Sequence, residues 1–397
     1  MKNNRKFFYE DLYFSGNKAQ GSVTFLFFCV AILSSVFSQI PEIQSYLRPT
    51  MFLSWILACG YSFFEYRKPI MIPNFMVGMF FAVVLNLVFN LMIGFNDDAR
   101  MNSSYVSLMF IPFFMYFMGT RFFSIFSDFQ IRNLLWVFCL SSLFLGLYVK
   151  FVHIGSTSSW FGTLTYLYTS KNSAAQILVS GAIIAFLFLK SQNKILNLLR
   201  FIIVFVNIIC CLYMMARGAC FSLIFAYLIL IFCQKNIKAF FTFLLFGIGL
   251  LILYFSNENF EFFINHAFLL DKYSHSDGDE YSSGRLSLYY HAFQLFIQAP
   301  FCGIGNFYVD NFYISLLTGN GIIGSVFFIF VMFWRFGANI KFYLKERSIF
   351  SLTTLLLTVF FFGESLFEGL PPFGPGVCSM MLWFLSSRID LQKEGVK

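Results

Sequence analysis

The sequence predicts an all-α integral membrane protein of about twelve transmembrane helices, with one long external loop carrying an interfacial helix. Three observations predict it. Only 12% of the 397 residues are charged and 58% are hydrophobic, whereas soluble domains carry about 25% charged residues. The apolar residues come in runs of roughly 16 to 25, the length a helix needs to cross the hydrocarbon layer. The runs are continuously apolar rather than alternating with period two, which favours helices over a barrel.

The opening stretch, MKNNRKFFYEDLYFSGNK, is polar and mixed in charge, so the first span is expected to act as an uncleaved anchor. Spans are expected at 22–40, 49–64, 70–95, 104–119, 133–152, 172–189, 199–215, 218–233 and 238–255. A polar stretch over 256–285 follows. In the half-apolar segment 286–299, Leu286, Tyr289, Tyr290, Phe293 and Phe296 recur at helical spacing and predict a helix lying along the outer interface. Pro300 to Gly305 makes a turn, and spans at 311–334, 349–369 and 375–388 complete the set. Residues 1–397 thus read as one membrane domain: 22–255 holds spans one to nine, 256–310 is the large external loop, and 311–388 holds spans ten to twelve.

Lys and Arg concentrate in loops retained on the cytoplasmic side. With the N-terminus inside, only Arg48, Arg100, Lys150, Lys171, Arg217, Lys272 and Arg285 of the 27 basic residues fall outside. Both termini are therefore expected in the cytoplasm. The outer face is net acidic, so each basic residue there needs a reason. The net charge of +8 reflects dispersed topology signals rather than one patch, and no nucleic-acid partner is expected. The nine cysteines lie almost all inside apolar runs without a C-x-x-C, which points to packing rather than a disulfide or metal framework. The 61 phenylalanines are spread evenly and form no repeat.

Arg217 stands in CCLYMMARGACFSL with no carboxylate within a dozen residues. An Arg at mid-bilayer costs about 2.5–3.5 kcal/mol on insertion scales, so it snorkels, pairs with a distant group or holds an anionic ligand. A bland interfacial Arg closing an outer hairpin is the competing reading. Arg285 begins the amphipathic stretch, where a cation opposes the macrodipole unless an anion is shared with the free N–H groups; a solvated Arg is the alternative. Asp310 heads a span, either as an N-cap or as a general base facing a cavity. Gly303, Gly305, Gly319, Gly321 and Gly324 surround it, although small residues also serve helix packing. Glu364 and Glu368 lie four apart near the outer end of the eleventh span, hence on one face, with Arg217 or Arg285 as partners for an ion pair. Asp277-Gly278-Asp279 resembles a metal-holding D-x-D, yet by parity it lies outside, where a solvated acidic loop is favoured. His153, His266, His275 and His291 lack metal-ligand spacing, and His291 is placed to flank the site.

The C-terminal half resembles the O-antigen polymerase and O-antigen ligase superfamily. The resemblance rests on Lys171-Asn172-Ser173-Ala174-Ala175 opening a span, the Ala216-Arg217-Gly218-Ala219 turn, Ser283-Gly284-Arg285, and Pro300 to Gly305. It continues through Asp310-Asn311-Phe312-Tyr313 and Gly321-Ile322-Ile323-Gly324, in order over about 170–370. It implies a GT-C-like membrane fold and a metal-independent glycosyl transfer, without cofactor, on the outer face of a bacterial cytoplasmic membrane. The donor is a glycan on a polyisoprenyl diphosphate, the acceptor a second lipid-linked repeat unit, and a flippase and chain-length regulator are expected partners. The ligases carry a His-Asn pair where this chain has Asp310-Asn311, which tilts the expectation toward the polymerases. Cleavage of the sugar–phosphate bond develops negative charge that guanidinium groups stabilise. Arg217, Arg285 and Asp310 are thus the expected catalytic residues, Asp310 accepting the hydroxyl proton or, failing it, Glu364 or Glu368. His291, Asn311, Glu364 and Glu368 join the two arginines as expected substrate-binding residues.

Overall fold

The computed structural model describes residues 22–65, 74–93, 113–152, 171–190, 192–214, 216–234, 237–268, 270, 284–305, 307–369, 373–374 and 376–393. Among these residues every regular element is helical. The helices are α1 (Ser22–Phe37), α2 (Pro41–Glu65), α3 (Asn74–Ile93), α4 (Asp128–Val152), α5 (Lys171–Phe188), α6 (Lys194–Tyr213) and α7 (Arg217–Gln234). They continue with α8 (Ile237–Ser256), α9 (Glu258–Phe268), α10 (Arg285–Gln298), α11 (Phe312–Glu346), α12 (Ile349–Glu364) and α13 (Val377–Lys393). Residues 113–125 are also helical. Each expected span overlaps a helix. Both chain ends, His153, His275 and the Asp277-Gly278-Asp279 segment lie outside the described residues.

Three helical segments, Asp128–Val149, Lys171–Phe188 and Lys194–Tyr213, are long and apolar enough to cross a membrane. The number rises to five if each of two bent pairs, in α8–α9 and in α11, makes one crossing. The outer surface suits such a setting: Phe64, Phe205, Phe232 and Phe255 are strongly exposed, and α8 shows apolar side chains on nearly every side. Apolar surface of this extent is not left to water.

The bundle is organised around α5 and α12. From Ser351 to Phe361 every residue of α12 is buried, and a helix apolar on all sides belongs in the middle of a bundle. It packs on α5, α7, α11 and α13, while α5 also meets α4 and α6. Buried amides tie neighbours together. Asn207 Nδ2 donates to Ser142 Oγ at 2.9 Å and to the Leu178 carbonyl at 3.1 Å, joining α6 to α4 and α5. Asn339 Nδ2 donates to Thr358 Oγ1 at 2.9 Å between α11 and α12. In an apolar medium such bonds select which helix lies beside which.

Several arginines that the charge pattern assigns to the inner side are buried. Arg121 donates Nε and Nη2 to the Ser62 carbonyl at 3.1 and 2.9 Å in the last turn of α2. Arg200 donates to the Phe186 carbonyl at 3.4 Å near the end of α5, and Arg335 donates to the Ser386 carbonyl. Arg388 lies 3.8 Å from Asp128 and over the rings of Phe123 and Phe350. For Arg121 and Arg200 the partner lies in the last turn of a helix, where orphan carbonyls and partial negative charge suit a guanidinium. Arg335 lies inside α11 because that helix continues past its apolar run, and Arg200 lies in the second turn of α6.

Two further differences concern the region before and within α11. The stretch expected to be polar loop from 256 contains α9, which turns 108° from the axis of α8. Asn257 Oδ1 accepts from the Phe260 N–H at 3.0 Å, Glu258 and Glu261 occupy the first turn, and both features favour a helix start. The tenth expected span is a long helix broken at Gly321, which adopts φ 64 and ψ −175. The turn at 300–305 closes that break: Ile322 N donates to the Pro300 carbonyl at 2.9 Å, Ile323 N to Phe301 at 3.1 Å, Ile304 N to Thr318 at 3.0 Å and Gly305 N to Gly319 at 2.9 Å. Backbone groups freed by a broken helix need partners away from water, and this turn supplies them.

Candidate functional site

At the end of α12 remote from Phe350 and Arg388, a polar cluster forms between the helix and its neighbours. Phe350 and Glu364 are about 21 Å apart along α12 at 1.5 Å per residue, so the cluster and the Arg388 group occupy opposite ends of the bundle. It is assembled from the N-termini of α5, α10 and α11 and the chain just beyond α12.

Arg285 is the first residue of α10. Gly284 before it is left-handed, at φ 76, and gives the helix no side-chain cap. Arg285 Nη2 lies 3.0 Å from Asp310 Oδ2 and 3.8 Å from Glu368 Oε1. One guanidinium therefore faces two carboxylates brought from separate elements. Asp310 Oδ1 also accepts from the Tyr308 hydroxyl at 3.2 Å, so both of its oxygens are engaged. The Tyr289 hydroxyl, one turn along α10, lies 2.8 Å from the Asp310 carbonyl and 3.3 Å from that of Leu366. Burial raises the Tyr289 phenol above its ordinary value, partly offset by the Arg285 guanidinium.

Asn311, not Asp310, caps α11: its Oδ1 accepts from the Ile314 N–H at 3.0 Å, and its Nδ2 donates to the Leu366 carbonyl at 3.1 Å. The capping reading of Asp310 is thereby corrected. An Asn supplies both the acceptor a helix start needs and a donor, which a carboxylate lacks. Phe312 N adds a 2.8 Å bond to the Ser365 carbonyl, so the 308–311 and 364–368 segments are strapped together.

Glu364 is 1% exposed. Its Oε2 accepts from Gln176 Nε2 at 3.1 Å, while Oε1 has no hydrogen-bond partner among the described residues. Glu368 N bonds to the Glu364 carbonyl at 2.9 Å, which keeps the helical spacing and stacks the two side chains one turn apart, as expected. Glu368 Oε1 accepts from Asn172 Nδ2. Of the two carboxylates, Glu368 lies 3.8 Å from Arg285 and Glu364 accepts from an amide.

Arg217 opens α7 and is half-buried. The next residue, Gly218, lies so close to the segment beyond α12 that an added Cβ would sit 2.8 Å from the Phe367 Cβ. Phe221 stacks on the same Phe367 ring at 6.3 Å. Arg217 and Arg285 thus begin two helices that border one short segment, 364–368. His291 is exposed on α10, 6.3 Å from the Phe307 ring, and does not join the hydrogen-bonded cluster. Among the described residues no group of three His, Cys, Asp or Glu side chains is arranged to hold a metal.

Asn172, Gln176, Tyr289 and Tyr308 are site residues that sequence reasoning did not assign a role. Asn172 and Gln176 carried a usable signal: two amides four apart at the head of an apolar helix match the four-residue spacing of Glu364 and Glu368. Chemically, the cluster offers a fork of N–H donors suited to an anion such as phosphate and carboxylates able to take a proton. No family model and no curated protein matches the chain.

Proposed function

We propose that the chain is a polysaccharide polymerase of the O-antigen polymerase type, crossing a bacterial cytoplasmic membrane twelve times with both termini inside. It joins polyisoprenyl-diphosphate-linked oligosaccharide repeats on the outer face. The observation that carries the reading is Arg285, held between Asp310 and Glu368 next to the helix start that bears Arg217. The site lies at the bundle end opposite the buried arginines that the charge pattern assigns to the cytoplasm. In this reading the two guanidinium groups neutralise the departing diphosphate of the donor, and a carboxylate takes the proton of the attacking hydroxyl. Asn311 holds the segment beyond α12 in place, and His291 flanks the glycan path. A flippase delivering the donor and a chain-length regulator are the partners this chemistry calls for; no cofactor is assigned.

A transporter of the same lipid-linked oligosaccharide is the second reading, favoured by the break in α11. Broken helices in transporters leave backbone groups free to bind cargo or ions. Here the groups opened at Gly321 are taken by the 300–305 turn, which supports a static role for the break. A ligase of the same superfamily would share the donor chemistry and differ in acceptor.

Arg217→Ala and Arg285→Ala, made separately, are expected to stop glycan extension in cells at unchanged protein level. Removing one donor from an oxyanion-type site costs about 100- to 1,000-fold in rate. Glycan of normal length in either variant refutes the assignment, and loss of substrate translocation with intact extension points to the transporter.

A further inference from the structure

Asn172 and Gln176 stand one turn apart on α5, and Glu364 and Glu368 one turn apart at the end of α12. They pair in register: Gln176 with Glu364 at 3.1 Å, and Asn172 with Glu368. The helices are antiparallel, so a four-residue step on one matches a four-residue step on the other. An amide donates to a carboxylate without neutralising it. The Asn172 contact therefore orients Glu368 and leaves its other oxygen able to take a proton.

The two carboxylates facing Arg285 are not equivalent. Asp310 spends Oδ2 on Arg285 at 3.0 Å and Oδ1 on the Tyr308 hydroxyl at 3.2 Å, and its carbonyl takes Tyr289 at 2.8 Å. Glu368 is engaged through Oε1 alone, by Asn172 and, more distantly, by Arg285 at 3.8 Å. Its Oε2 accepts no hydrogen bond from any described residue. Its side chain is 17% exposed against 39% for Asp310, so it is better shielded from water yet still reachable. One oxygen fixed and the other open is the geometry a proton acceptor requires. Glu364 sits one turn deeper and out of reach.

We propose that Glu368 removes the proton from the attacking hydroxyl, that Asn172 is its positioning residue, and that Asp310 serves to hold Arg285. The assignment rests on the transferase reading above. The acceptor hydroxyl passes its proton to Glu368 Oε2 while its oxygen lone pair bonds to the donor's anomeric carbon. The bond from that carbon to the diphosphate oxygen breaks, its electron pair leaving with the diphosphate beside Arg285. Glu368 then returns the proton to water on the outer side.

The test uses the purified full chain in lipid nanodiscs. The probe is the polyisoprenyl-diphosphate-linked oligosaccharide that accumulates in host cells lacking this protein. Extension rates are measured as a function of pH, with Arg285, Tyr289, Tyr308, Asp310 and Glu364 as the other titratable groups facing Glu368. Glu368→Gln is expected to lower kcat by about 100-fold or more at little change in KM and to abolish the acid limb of the kcat profile. Glu368→Asp, which keeps the carboxylate but shortens it, retains that limb at reduced kcat. Asn172→Ala lowers kcat about tenfold and displaces the acid limb, an effect that loss of packing alone does not produce. Asp310→Asn raises KM chiefly and leaves the limb in place. Elution as a single species and an unchanged melting temperature show that each variant is folded. Wild-type protein that extends the glycan while Glu368→Gln keeps kcat within threefold and retains the limb overturns this assignment alone. Wild-type protein that leaves the probe unreacted overturns the transferase reading and this assignment together.

Discussion

Gly321→Ala strikes the break in α11 where the backbone is tightest. An alanine Cβ at this position would overlap the Phe301 carbonyl and the Gly303 nitrogen, all of them backbone atoms that no side-chain rotation can clear. The conformation itself, φ 64 and ψ −175, lies where side chains other than hydrogen cost about 1–3 kcal/mol. To admit the methyl group the 300–303 strand of chain has to retreat, which loosens the bonds from Ile322 and Ile323 to Pro300 and Phe301 at 2.9 and 3.1 Å. Each is worth about 1 kcal/mol net, so the combined cost is about 3–5 kcal/mol, at the upper end for a single substitution. At about 2–4 °C per kcal/mol for larger domains, detergent-solubilised protein should melt roughly 6–20 °C lower. Hydrogen exchange followed by mass spectrometry should show the amides of Ile304, Gly305, Ile322 and Ile323 losing protection. Gly337→Ala is the internal control: it lies in the same helix, an added Cβ meets nothing within 4 Å, and the change should be neutral or stabilising by up to about 1 kcal/mol. If Gly321→Ala melts within a degree of the wild type with these amides still protected, the account of the break as a closed backbone clasp is wrong.

Other expectations follow from the strap and its neighbours. Asn311→Ala removes the α11 cap and the 3.1 Å bond to Leu366, costing about 1–2 kcal/mol. Asn311→Ser, which keeps a capping acceptor, should recover part of that in the same melting assay, and equal losses would show that capping is not what Asn311 contributes. Gly218→Val drives a side chain into Phe367; it should lower stability and also glycan extension through the segment that holds Glu368, whereas an unchanged melting curve would mean that α7 and this segment part easily. Tyr289, whose phenol burial raises, holds its proton longer folded than unfolded. That contribution is complete below about pH 10 and is lost as pH rises through the folded value, so the melting temperature of Tyr289→Phe should fall less steeply than that of the wild type above pH 10, and identical slopes would contradict it.

The helical segments were legible because run length and continuity of apolar residues are local properties. Even α10 was readable from the spacing of its Leu, Tyr and Phe residues, although the structure divides them: Ala292 and the Tyr289 side face the protein, and Leu286, Tyr290 and Phe293 face outward. The helix α9 was overlooked because polarity was weighed ahead of the Asn257 cap and the glutamates that follow it. Gly303, Gly305 and Gly321 stood out in the sequence as a group, but their joint purpose did not, since a bond between residue 301 and residue 323 has no local signature. At the site, Arg217, Arg285, Asp310 and the two glutamates were conspicuous as charges in apolar surroundings. Asn172 and Gln176 were not, because an uncharged amide at the head of a helix has an ordinary place at any interface.

By itself the sequence determined that this is an all-α chain rich in helices fit for a membrane, where most of their apolar middles lie, and which few charges stand out of place. Those follow from the cost of exposing apolar surface to water or a charge to hydrocarbon, which each residue incurs separately. Tertiary structure alone decided which polar groups meet: that Arg285 faces Asp310 and Glu368, that Asn311 reaches the Leu366 carbonyl, and that two amides on α5 take up two carboxylates at and just beyond the end of α12. Such choices depend on helix packing and on the direction of side chains a few ångströms long, quantities to which elements far apart in the chain contribute jointly.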